Sequence, residues 1–231
     1  MSPEVIITDI TRMQPPNGVC IAADHKGRTI RLADPTPTDE WVASVGGLIP
    51  GDVVSVDWKP TRKPVPPHLE DGEWVRRTFS KRHRLTEGQL VDYLSAKAFR
   101  SVRDAFGTPW LRGKGGNAAF QPRAGTRSLA SVSVPSVRAY PDDDGIKVDF
   151  VDDGDSWTRV PLQDLIVRQH QKRCRVCSQR FAQLLASEFQ GGKAVLRVGL
   201  AREFPIGGYP KACWMQVTHI FLIPPKRKHF V

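Results

Sequence analysis

Apolar positions along the chain fall into short runs with period two, broken every eight to twelve residues by glycine, proline or aspartate. That is the pattern of strands rather than long helices. "EVIITDITRM" opens with a β-branched run. "GVCIAADHKGRTIRLAD" reads as a hairpin turning at Lys26-Gly27. "WVASVGG" fits one helical turn stopped by glycine, and "IPGDVVSVDWKP" places a turn before a further strand. "RKPVPPHLEDGEW" is too rich in proline for regular structure and predicts an extended loop.

Period three to four appears next. Leu90, Leu94, Ala98, Val102 and Phe106 predict one helix between a Thr86 cap and a Gly107 stop. "PWLRGKGGNAAFQPRAGTR" has little apolar periodicity and reads as a long surface loop. The remainder gives strands at "SLASVSVPSVRAY", "GIKVDFVDDG" and "SWTRVPLQDLIV". A helix follows at "SQRFAQLLASEF", burying Phe181, Leu184, Leu185 and Phe189, and then strands at "KAVLRVGLAREF" and "CWMQVTHIFLI". Three strands, a helix and two strands is the element order of an OB-fold, and residues 1–85 fit it with a shortened helix. The expected fold is mainly β with a few helices. Two tandem OB-like small barrels, 1–85 and 128–231, are joined by a helix and a basic Gly-rich loop over 86–127.

Charge changes the picture from fold to partner. The formal charge is +10, and it is segregated. Lys59 to Arg84 holds eight Lys/Arg against three acids, Lys97 to Arg127 seven against one, and Arg168 to Arg180 five against none. Seven Asp crowd between Tyr140 and Asp155. Such separation gives one face a positive field suited to nucleic acid. Aromatic plates lie among the cations: Trp58 with Lys59, Arg62 and Lys63; Trp74 and Phe79 with Arg76, Arg77, Lys81, Arg82 and Arg84; Trp110 with Arg112 and Lys114. Stacking plus charge is how single strands are held. Trp157 and Trp214, inside strands, read as core.

"RQHQKRCRVCSQRF" from Arg168 to Phe181 contains Lys172, Arg173 and Arg175 ahead of an expected helix start, a phosphate-facing arrangement. His170, Cys174 and Cys177 offer at most three of the roughly four ligands zinc needs, so the expectation is no metal and no cofactor. Asp9, Glu70 and Asp71 could imitate a nuclease carboxylate cluster, but Asp9 reads as a strand-end cap and the other two as loop residues. No nucleophile–base motif or phosphate-cradling loop is present, so no enzyme activity is expected. Four irregularly spaced cysteines without a secretory signal, and no apolar run of membrane-spanning length, point to a cytoplasmic chain with reduced thiols.

The ordered series "VIITDITRM", "GVCIAA", "RTIRL", "IPGDVVSVDW" and "PPHLEDGEW", with "LRVGLAREF" and "CWMQVTHIFLIP" near the end, resembles the dual OB-containing domain family. The resemblance implies two barrels in tandem, nucleic-acid binding and an association with prokaryotic antiviral-defence or mobile-element systems. With the charge and motif reading, the expectation is a non-catalytic binder of single-stranded or hybrid DNA or RNA that joins other protein subunits in a larger assembly. The alternative is an adaptor whose basic face docks an acidic protein. A metal-dependent nuclease is the third reading.

Overall fold

A computed structural model describes residues 2–13, 18–107, 110–112, 118–142, 145–168, 183, 187, 192–205 and 211–224. Its first half turns the alternating apolar pattern into strands β1 (Glu4–Arg12), β2 (Val19–His25) and β3 (Arg28–Asp34). Lys26 and Gly27 make the β2–β3 turn with φ of 50° and 90°. Two positive φ values match the twist of the flanking strands, which is why lysine before glycine suits this turn. Helix α1 (Asp39–Ser44) begins where the Thr38 hydroxyl accepts from Trp41 N. It is followed by β4 (Asp52–Ser55), β5 (Trp58–Pro60) and β6 (Asp71–Trp74), then a 3₁₀ turn (Arg76–Thr78) and β7 (Ser80–Arg84).

The pairings curl this sheet on itself. β1 pairs with β2, β2 with β3, and β3 runs parallel to β6. β6 pairs with β5, while β4, separated from β5 by Val56 and Asp57 alone, pairs back to β1. Residues 52–60 therefore link β5, at one end of the strand order, to β4, which lies next to β7 at the other end, enclosing Val5, Ile7, Ile21, Ile30, Leu32 and Val54.

The second half repeats the same circuit. β8 (Trp110–Arg112) and β9 (Ala118–Phe120) precede β10 (Leu129–Val134), β11 (Ser136–Asp142), β12 (Gly145–Val151), β13 (Ser156–Pro161), β14 (Lys193–Leu200) and β15 (Cys213–Ile223). β11 pairs with β12 and β12 with β13; Leu162, just past β13, bridges parallel to Val217 of β15. β15 pairs with β14, and β14 with β10. Trp157, Ile146, Leu196 and Phe120 fill this interior.

Five expectations about elements are corrected, the first being the proline-rich loop, whose last residues, Asp71 among them, form β6. The single helix over 86–107 is two, α2 (Glu87–Ser95) and α3 (Val102–Phe106). Phe99 between them bonds as a strand, donating to Ser131 O and accepting from Ser133 N. The Gly-rich surface loop contains the β8–β9 hairpin, whose β9 extends the sheet beside β15. The expected strand over 128–140 breaks at Pro135, which has no N–H for the ladder. The strand expected through Val167 stops at Pro161, because Asp164 caps a helical turn through its carboxylate on Val167 N. Of the helix expected over 178–189, Gln183 and Ser187 are described, and both are helical and exposed; Phe181, Leu184, Leu185 and Phe189 lie outside the described residues.

The two halves meet over the outer side of β1, β2 and β3. Cys20, Ala22 and Asp24 point away from the first core, yet Ala22 is 0% and Asp24 6% exposed. α2 fills part of this seam: Leu90, Val91 and Leu94 pack between Ile6 and Leu85 on one side and Val195 and Phe221 on the other. Charge fills the rest. Arg197 Nε donates to Asp9 Oδ1 at 2.7 Å and Nη1 to Ser131 Oγ at 3.0 Å, all buried. Asp9 sits mid-strand at a β1 bulge, not at a strand end as expected. Burial raises its pKa, but the Arg197 guanidinium and the Thr8 and Thr218 hydroxyls outweigh that and hold it below the ordinary carboxylate value. Arg31 Nη1 donates to Asp71 Oδ1 at 2.8 Å and Nη2 to Ser128 Oγ at 2.7 Å. Glu70 accepts from the backbone N–H of Ser128 and Leu129, at 2.5 and 3.0 Å. The outer side of β11, β12 and β13 is open by contrast, with Arg138 exposed and Tyr140 and Lys147 half-buried.

Candidate nucleic-acid interface

Within residues 58–84, His68, Glu70 and Asp71 are buried at the seam, whereas Trp58, Lys59, Arg62, Lys63, Arg76, Arg77, Arg82 and Arg84 are half-buried or exposed and make up a separate wall. Trp58 is half-buried. It stands opposite Trp74 in the β5–β6 ladder and meets His25 edge-on at 5.7 Å between ring centres. Its ring lies close on Gly72: a Cβ there would come within 3.4 Å of Trp58 Cε3 and 3.0 Å of Lys59 O. Glycine thus lets the indole sit flat against the neighbouring strand. Beside it is a shallow open depression of about 440 Å3, lined by Asp34, Pro35, Asp57, Trp58, Glu73 and Val75 among others.

The cations around this depression divide into tethered and untethered. Lys59 Nζ lies 2.9 Å from Glu73 Oε2 and holds that carboxylate below its ordinary pKa. Lys81 and Arg84 converge on buried Asp52, at 3.2 and 2.6 Å, and Lys81 also donates to Gly47 O. Arg76 donates to Thr36 O and lies about 6 Å from the ring centres of Trp41 and Trp74. Trp41, Trp74 and Phe79 pack edge-to-face beneath it, so Trp74 and Phe79 serve the core. Arg62, Lys63, Arg77 and Arg82 are exposed and make no ion pair among the described residues. Arg62 and Lys63 follow β5 and Arg77 follows β6, so they bracket the short hairpin, roughly 10 Å long at about 3.3 Å per residue.

Of the other expected residues, the described ones are not brought to this wall. Trp110 belongs to the other half, where its ring packs against Phe106, Phe120 and Trp157 and its Nε1 donates to Gly107 O. Arg112 ends β8 in the same hairpin. Lys114, His170, Lys172, Arg173, Cys174, Arg175 and Cys177 lie outside the described residues. Trp157 and Trp214 are both buried.

The carboxylates weighed for metal are committed to protein partners: Asp9 to Arg197, Asp71 to Arg31 and Arg202, Glu70 to backbone amides. No group of three or more metal-ligating side chains occurs among the described residues. Cys20 and Cys213 are free thiols, with burial raising both, Cys213 to about 11. No helix among the described residues is long and apolar enough to cross a membrane.

Sequence reasoning missed one surface. Arg138 and Tyr140 alternate outward on β11, and Arg138 lies 5.5 Å from the Tyr140 ring centre. Tyr140 pairs in register with Lys147 on β12 and donates to Asp149 Oδ1 at 3.0 Å. Arg159 of β13, at φ 57°, donates to Asp142 Oδ2 at 2.8 Å. The aspartates that made this stretch look acidic are thus partly neutralised by their neighbours. The signal was the alternation of Arg138 and Tyr140, hidden by the Asp run beside it. Compared with known proteins, the chain matches no family model, no curated sequence and no solved structure.

Proposed function

We propose that this chain is a non-catalytic binder of single-stranded or hybrid nucleic acid, built on two OB-like barrels. The repeated strand circuit supports the fold half of this reading: first to second to third, third parallel to fifth, fifth to fourth, and fourth back to first, in both halves. One observation carries the binding half. Four exposed cations without ion pairs among the described residues, Arg62 and Lys63 after β5, Arg77 after β6 and Arg82 on β7, accompany half-buried Trp58 of β5, which borders an open depression. Charge placed on both sides of a stacking surface suits a sugar-phosphate chain with one base laid between.

The wall also matters because the first half's β2–β3 side, the usual OB ligand face, is covered by Tyr93 and Lys97 of the connecting segment at Asp24 and by Ser128 of the second half at Arg31. A ligand of the first barrel must therefore approach over β5, β6 and β7.

The test is the salt dependence of oligonucleotide binding. Replacing Arg62, Lys63, Arg77 and Arg82 together by Ala should weaken binding of all sequences alike and flatten the log–log salt slope by roughly 3. An unchanged slope in a variant with an unaltered melting curve rejects the reading. A second reading, an adaptor for an acidic protein, is favoured by the outer edge of β7. "SKRHR" ends the strand order there and could accept an extended acidic segment.

A further inference from the structure

The depression beside Trp58 has the wrong charge for phosphate. Asp34, Asp57 and Glu73 line it, against one cation, Lys59, which is already bound to Glu73. Its remaining walls, Pro35, Trp58, Trp74 and Val75, are flat or apolar. Ionised carboxylates only accept hydrogen bonds, so the group that fits is planar and rich in donors. Of the untethered cations, Arg62, Lys63 and Arg77 stand outside this lining, at the two ends of the β5–β6 pair. A nucleotide satisfies both demands at once, with its base inside and its flanking phosphates on Arg62, Lys63 and Arg77.

We infer that the depression is a base-selective subsite that favours guanine and rejects thymine and uracil. This deepens the nucleic-acid reading and rests on it. Guanine offers adjacent N1–H and N2–H donors, which one carboxylate accepts together. Thymine and uracil turn two carbonyl oxygens toward the same acids and offer a single N–H. Adenine and cytosine, each with one exocyclic amino group, fall between. Asp34 and Asp57 are the selecting residues, since both are exposed and Glu73 is held by Lys59.

The experiment titrates the full chain with labelled short oligothymidines in which one central base is thymine, guanine or inosine. Guanine should bind roughly tenfold tighter than thymine, with inosine, which lacks the N2 amino group, in between. Asp34→Asn with Asp57→Asn should bring guanine and thymine level while leaving the all-thymine ligand bound at least as well. If every oligonucleotide binds with the expected salt slope but without base dependence, the subsite is wrong and the binding function stands. If no oligonucleotide binds, both fall. Saturable binding of a labelled oligoarginine peptide, abolished by Trp58→Ala, together with absent base dependence, overturns the subsite in favour of a cationic protein segment.

Discussion

His68 shows how one buried side chain couples stability to pH. It is 3% exposed, and its Nδ1 accepts from Arg31 Nη1 at 3.1 Å, which requires a neutral ring. Burial, with the Arg31 and Arg202 cations next to it, lowers its pKa from 6.5 to about 3, against a weaker opposing pull from the Ala201 backbone. The unfolded chain therefore gains a proton near pH 6.5 that the folded chain refuses until about pH 3. Folding is penalised as pH falls through that window, by up to about 1.4 kcal/mol per pH unit. Urea midpoints of the His68→Gln variant should decline less steeply than wild type between those limits. Parallel declines would mean that His68 protonates in the folded state. Nothing in "VPPHLED" marks this histidine as buried, because its partner Arg31 is far away in sequence. Arg197 carried a signal that went unread: a lone cation in the apolar "VLRVGL" demands a buried counter-charge, and Asp9 in "IITDIT", expected to cap a strand end, supplies it.

At the scale of elements, what could be read was what is local. Alternation fixed β1 to β3, the Lys26-Gly27 turn their hairpin, and Thr86 the start of α2, where Thr86 and Gln89 form a reciprocal capping box. Gly107 does end a helix, as expected, with φ 79°. What was missed depends on distant pairing. Phe99 leaves the helix because β10 offers it backbone partners, and β8–β9 forms because the edge of β15 is there to receive it. Neither partner is visible in a local window. α2 joins both halves, which gives its apolar face more to lose than an isolated surface helix. Leu94→Ala should cost roughly 2 to 5 kcal/mol through the cavity left between the halves. Asp92→Ala, on the exposed side of the same helix, should change stability by less than about 0.5 kcal/mol. Chemical denaturation of both variants checks this; equal losses would remove α2 from the seam.

For the whole molecule, the seam decides how the halves behave. Asp9–Arg197, Arg31–Ser128, Asp71–Arg202 and the Glu70–Ser128 bonds cross it, so separating the halves breaks them and exposes Leu90, Leu94 and Phe221. The full chain should melt in one calorimetric transition, with van't Hoff and calorimetric enthalpies in agreement. Two resolved transitions would show that the seam contributes little. The Glu70–Ser128 contact also bears on how such a chain can change over time. Glu70 accepts three donors from Ser128 and Leu129, two of them backbone amides that no substitution at 128 except proline can delete. Drift at position 70 therefore leaves main-chain donors unanswered, whereas drift at 128 short of proline forfeits one hydroxyl, shared by Glu70 and Arg31. Acceptable sequences are asymmetric across the join: the first half is the more constrained partner. A second half transplanted from a related chain would be tolerated more readily than a first half.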